Sequence, residues 1–146
     1  MFQSLKQLQF LLEDLRRYWG SDDFFGCGFF TVFIWLHSWN NVSYRLRRFL
    51  FLLPRPLNLI FFPLSFIIDR FFSLILGTNI PASVEIGPRF YIAHLGPVTV
   101  GRHTKAGSDF FIRQGVIIGG NGTEGGHPCF GDNVTLGANA CVVGAI

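Results

Sequence analysis

Charge is scarce in this sequence. Only 14% of its 146 residues are Asp, Glu, Lys or Arg, and twelve basic against nine acidic residues leave a net charge of +3. So small an excess, with no basic stripe along the chain, speaks against nucleic acid as a partner. Cysteine is sparse as well. Cys27, Cys129 and Cys141 are odd in number and lack C-x-x-C spacing, so they read as reduced, mostly buried thiols of a cytosolic protein. No group of His, Cys and carboxylates has metal-ligand spacing, and no Ser sits in a G-x-S-x-G elbow, so no metal is expected and metallohydrolase and α/β-hydrolase mechanisms lack their parts. The first residues, with Glu13 and Asp14 soon after Lys6, lack the basic stretch and clean apolar core of a cleaved leader.

Phenylalanine and glycine are plentiful, and they divide the chain. Of 18 Phe, 14 lie in residues 1–72, and of 17 Gly, 14 lie in residues 77–146. The first part also carries the whole positive excess. Two physical objects are expected, an α-helical region over 1–76 and a glycine-punctuated β region over 77–146, an α+β chain overall.

In the first region Phe2, Leu5, Leu8, Leu12, Leu15 and Trp19 recur at spacings of three and four, which puts them on one face of a helix that Ser4 and Gln7 could help to cap. Phe24 to Tyr44 holds no charged residue, yet Gly26, Gly28, His37, Asn40 and Asn41 dilute it below the quality of a membrane span. Arg45, Arg47 and Arg48 then precede an apolar run, Phe49 to Ile68, interrupted by Pro54, Pro56 and Pro63, which predicts two or three short helices. Two uses of so much apolar surface stay open: an oligomerisation face covered by neighbouring subunits, or a membrane-peripheral foot with its arginines at lipid phosphates. A genuine span is a third.

The second region repeats. Apolar residues return every six positions at Ile80, Ile86 and Ile92, then after two extra residues at Val100, Ala106, Ile112 and Ile118, and again at Phe130, Leu136 and Val142. A small residue usually follows each, as at Gly87, Gly101, Gly107, Gly119, Gly131 and Gly137. Residues six apart fall on opposed sides of an α-helix, so the period is a strand–turn period. Three hexads close a triangular coil and stacked coils bury the aliphatic column, which predicts a hexapeptide-repeat parallel β-helix. About three and a half coils fit and the chain stops inside a hexad, so the expectation is a fragment truncated at its C-terminus.

The period breaks twice, and each break carries a histidine. His94 lies in Ala93-His-Leu-Gly-Pro97, and His127 follows the loop Gly119-Gly-Asn-Gly-Thr-Glu-Gly-Gly126. Breaks in a solenoid project outward, where sites are built. His37 and His103, which interrupt nothing, read as passive. The loop contains a formal G-x-G-x-x-G, but it leads to His-Pro and a strand instead of a helix, so the dinucleotide reading fails. What remains is histidine general-base chemistry, with backbone N–H groups of a glycine turn available to an oxyanion.

Ile86-Gly-Pro-Arg-Phe-Tyr-Ile-Ala-His94, Gln114-Gly-Val-Ile-Ile-Gly-Gly120 and His127-Pro-Cys-Phe-Gly-Asp-Asn-Val-Thr-Leu-Gly-Ala138 together resemble serine acetyltransferases. Glu13-Asp-Leu-Arg-Arg-Tyr18 and Tyr44-Arg-Leu-Arg47 extend the resemblance weakly upstream. The resemblance implies a left-handed β-helix, a homotrimer or dimer of trimers, and transfer of acetyl from acetyl-CoA to the hydroxyl of L-serine, a step of cysteine biosynthesis, in the cytoplasm. It implies His94 as general base, His127 lining the acceptor pocket across a subunit interface, and Gly120 and Ala138 where the backbone meets the CoA arm.

Three positions depart from the family pattern. Ala93 replaces an Asp beside the base, Asn79 replaces the carboxylate that orients it, and Gly126 replaces an Arg that clasps the serine carboxylate. Asn79 can fix an imidazole tautomer but cannot stabilise the imidazolium as Asp does. The expected function is thus acetyl-CoA-dependent O-acetyl transfer to serine. The alternatives are transfer to a sugar hydroxyl in surface-glycan synthesis, which the apolar first half suits, and a non-catalytic assembly solenoid.

Overall fold

The computed structural model describes residues 2–19, 38–123 and 126–146. Cys27, His37 and the uncharged stretch from Phe24 to His37 lie outside them. Among the described residues three helices come first: α1 (Phe2–Trp19), α2 (Ser38–Phe51) and α3 (Arg55–Leu76). Ten strands of two or three residues follow, β1 (Thr78–Asn79), β2 (Glu85–Ile86), β3 (Tyr91–Ala93), β4 (Val98–Val100), β5 (Lys105–Ala106), β6 (Phe111–Arg113), β7 (Ile117–Gly119), β8 (Cys129–Phe130), β9 (Thr135–Leu136) and β10 (Cys141–Val143).

Every strand pairing is parallel and joins one coil to the next, giving three sheets: β1-β4-β7-β10, β2-β5-β8 and β3-β6-β9. These are the faces of a triangular left-handed β-helix. The register follows the six-residue period, with Ile86, Ala106 and Phe130 stacked on one face and Ile92, Ile112 and Leu136 on another. Both interruptions are absorbed at corners. Partners on adjacent coils are 18 residues apart at Thr99 and Ile117, 20 apart across the His94 corner, and 24 apart across the glycine loop. The core is the stacked aliphatic column together with Phe90 and Phe110, whose rings lie 6.0 Å apart and nearly parallel.

The helices cap the first coil. Among the described residues no strand lies beneath its lower edge, and side chains take that strand's place, as unpaired backbone groups demand. The Tyr44 hydroxyl donates to the Val84 carbonyl at 2.9 Å and accepts from the Ile86 N–H at 3.2 Å. Tyr18 accepts from the Ile92 N–H at 3.0 Å, Asn41 donates to the Phe90 carbonyl at 2.7 Å, and Asp14 accepts from the Phe90 N–H at 2.9 Å. Arg45 binds the Ile86 carbonyl at 2.8 Å and pairs with Asp14 at 2.8 Å, both side chains fully buried.

The structure corrects five expectations. Arg45, Arg47 and Arg48 do not face lipid phosphates: each binds a carbonyl of the first coil, Arg47 that of Ile80 at 3.0 Å and Arg48 that of Ala82 at 2.9 Å. In α1 it is Ser4, Gln7, Asp14 and Tyr18 that turn inward, while Phe2, Leu5, Leu8 and Leu12 are exposed. Ser4 and Gln7 therefore lie within the helix instead of capping it, and Gln7 accepts from Arg45 at 3.2 Å. Of the proline-rich run, residues 49–51 close α2 and everything from Arg55 on lies in one 22-residue helix, because Pro54 is its N-cap and Pro56 stands in its first turn, where a backbone N–H has no helical partner to lose, and only Pro63 interrupts its ladder. Finally, Cys129 and Cys141 are exposed free thiols and not buried ones.

Candidate active site

A triangular coil presents chemistry at its corners, since inward residues are committed to packing and corner residues point outward. His94 follows the last residue of β3, at the edge between the β3-β6-β9 and β1-β4-β7-β10 faces, and is exposed. Its φ of 67° repeats at the other corner residues Arg89, His103, Asp109, Asn133 and Asn139, between 57° and 65°, so the left-handed turn is the fold's ordinary corner. Ala138 lies at the same edge, two coils on, and is exposed.

His127 stands at the next edge, between the β1-β4-β7-β10 and β2-β5-β8 faces. The loop before it is folded, with Asn121 N–H donating to the Gly126 carbonyl at 3.0 Å and Gly126 N–H to the Thr123 carbonyl at 3.1 Å. The Thr123 hydroxyl donates to Asn121 Oδ1 at 2.6 Å. Gly120 makes room for the imidazole: a Cβ there would lie 2.7 Å from His127 Nδ1. That nitrogen is buried and has no hydrogen-bond partner among the described residues.

His103, read from sequence as passive, sits beside this group. Its ring centroid is 5.0 Å from that of His127. The sequence does hold the signal: 103 and 127 are 24 residues apart, the coil length measured across the loop from Lys105 to Cys129. Counting the looped-out hexad as part of one coil places the two histidines one above the other. Asn79 is exposed on β1 and lines a cleft together with Arg102 and His103, so it belongs with the His103 side of the prism.

His94 and His127 are therefore not brought together within one chain. They flank one face of the prism, and a side of about six residues at roughly 3.3 Å each separates its edges by on the order of 15–20 Å. No single acceptor atom can touch both imidazoles of one chain. Two chains, with the His94 edge of one against the His127 edge of another, can supply both.

No family model matches the chain. Part of the chain does align with curated proteins: it is 40% identical over 79 residues to the serine acetyltransferase of Mycobacterium tuberculosis, a stretch covering 53% of this chain and 34% of that protein. With the serine acetyltransferase of Staphylococcus aureus strain COL it is 42% identical over 81 residues, 54% of this chain and 37% of that protein. The chain is similar to serine acetyltransferases.

The likeness in fold extends over the helices. The solved serine acetyltransferase of Neisseria gonorrhoeae in complex with serine superposes with a TM-score of 0.73 at 23% identity, covering 95% of this chain and 57% of that one. The Brucella abortus serine acetyltransferase in complex with coenzyme A gives 0.75 at 22% identity, covering 93% and 53%. The chain thus matches about a third of the length of the curated serine acetyltransferases and little more than half of the solved ones.

Proposed function

We propose that this chain forms the β-helical core of an acetyl-CoA-dependent O-acetyltransferase whose first acceptor to test is L-serine. The observation that carries the reading is the placement of the two breaks in the repeat. Each lies at a corner, each carries a histidine, and the two corners flank one face, so a cyclic trimer juxtaposes unlike edges at each of its interfaces. Similarity to serine acetyltransferases supports the acceptor and the acetyl donor.

In this mechanism neutral His94 takes the proton of the acceptor hydroxyl as that oxygen attacks the thioester carbonyl of acetyl-CoA. The tetrahedral intermediate then collapses, the ester forms, the carbon–sulfur bond breaks, and the departing thiolate takes the proton back from the imidazolium. His127 of the neighbouring subunit lines the acceptor side. Asn79, also supplied by a neighbour, fixes the imidazole tautomer without adding a negative charge. Gly120 and Ala138 offer backbone to the CoA arm.

Thiol release from acetyl-CoA, with L-serine and then hexoses as acceptor, tests the reading. Serine-dependent release that falls by about 10²–10⁴ in kcat/KM on His94→Ala supports it. Unchanged turnover in that variant removes His94 from the mechanism, and no release with any acceptor returns the chain to an assembly solenoid.

A sugar or other larger acceptor is favoured by one observation, Gly126 at the position where a carboxylate-binding Arg is expected. We also place the protein at the cytoplasmic membrane surface. α3 is long and apolar enough to cross a bilayer, and only 6% of its apolar window is buried. Its far end is tied to the body, since Asp69 pairs with Arg47, which in turn binds the first coil. Shallow insertion of the Leu57–Ile67 part suits that anchoring better than a span. Vesicle flotation that is lost in Ile60→Asp supports this location, and flotation unaffected by the substitution overturns it.

A further inference from the structure

Between α3 and the edge that carries His103 lies a cleft of about 600 Å³. Its two walls differ in chemistry. One is aromatic, formed by Phe51, Phe61, Phe62 and Phe66, and the other, on the β-helix, presents Asn79, Arg102 and His103. Its charge is unbalanced. Asp69 is the single carboxylate in the lining and is already held by both Arg47 and Arg70. Arg102 is exposed and has no hydrogen bond or ion pair among the described residues.

Serine has no use for such a site. A volume of this size matches a drug-sized ligand, and four phenylalanines offer nothing to an amino acid of seven heavy atoms. An anionic group on an apolar tail would use both walls. The guanidinium of Arg102 is suited to bidentate binding of a phosphate or carboxylate, and the tail would pack against aromatic surface that the fold itself leaves uncovered. The cleft is also continuous with the reactive edge, because the His103 ring lies 5.0 Å from that of His127.

We propose that this cleft is a binding site for an amphipathic anion, an apolar chain carrying a phosphate or carboxylate head, with Arg102 holding the head beside His103 and the α3 phenylalanines holding the chain. The site is separate from the serine position of the acetyl-transfer reading and stands apart from that reading.

Calorimetric titration of the full chain with octyl phosphate below its micellar range, with octyl glucoside and with inorganic phosphate separates the contributions of head and tail. Expected is saturable binding of octyl phosphate at least tenfold tighter than either comparator, weakened at least tenfold in Arg102→Ala and in Phe62→Asp. Both positions are exposed, so both variants should fold, and the wild-type comparison of the three probes decides even where one does not. Equal binding of octyl phosphate and octyl glucoside would overturn the proposal as mere adsorption to α3. Inorganic phosphate binding as tightly as octyl phosphate would overturn the tail. Thiol release with serine, measured on the same preparation, keeps the two readings distinct: turnover without octyl phosphate binding removes the cleft alone, and binding without turnover removes the transferase alone.

Discussion

At the residue scale, the strongest demands fall on groups taken out of water. Asp14 and Arg45 are fully buried against one another and against first-coil backbone. Removing one partner leaves the other charge stranded, so Asp14→Ala is expected to cost about 3–5 kcal/mol, read as a lower denaturation midpoint at unchanged slope. Gly120→Ala should impair turnover at a modest cost in stability, because the new Cβ meets the His127 ring at 2.7 Å and the Gly126 carbonyl of the loop at 3.0 Å, and no strand backbone. A rise in acceptor KM with a small fall in Tm checks this. Two carboxylates, Asp109 half-buried and Asp132 exposed, contribute to the acid side of the stability profile. The Arg89 guanidinium holds Asp109 below the usual carboxylate range, and hydrogen bonds from the Ser108 hydroxyl and N–H do the same for Asp132. Each binds its proton less readily folded than unfolded, so the stability they contribute is present above the ordinary carboxylate range and lost as pH falls through their lowered folded values. Asp109→Asn should flatten the acid side of the Tm–pH profile, and an unchanged profile would refute its part. His94 and His127 were legible in sequence because they break a period. Arg102 and His103 were not, because they break nothing, and their proximity to the site emerges only when coil length is counted through an inserted loop.

At the scale of elements, the β-helix was legible nearly residue by residue, since a six-residue repeat of aliphatics fixes both strand and register. The helices were legible in position but not in facing. α1 spans what its apolar spacing predicts, yet it buries the opposite, polar side, because the partner it meets is the open edge of a coil that needs hydrogen bonds more than it needs apolar cover. The arginines of α2 misled for the same reason: their charge suggests a lipid surface, and their planar donors satisfy backbone carbonyls. The cap should behave as one unit with the coil it covers. Tyr44→Phe removes the hydroxyl that serves both Val84 and Ile86, and a loss of roughly 1–3 kcal/mol is expected. Hydrogen exchange should quicken first at the Ile86 amide, and equal protection loss across all coils would show that the cap does not act locally.

At the scale of the whole molecule, His94 and His127 stand across a face from one another, so the proposed site that uses both needs two chains. Coexpressed His94→Ala and His127→Ala chains, each inactive alone, should assemble into mixed oligomers in which about one quarter of the sites pair an intact His94 with an intact His127 by random assortment. Recovery of turnover near that fraction supports a shared site, and its complete absence places both histidines on one chain. The order of the chain adds one consequence of the capped first coil. Side chains that imitate a strand leave the ribosome before the strands of the β-helix do, so the helices are available as a template when residues 78–93 emerge. Each later coil then finds a finished edge below it, and the solenoid can wind in the direction of synthesis without ever waiting for its far end.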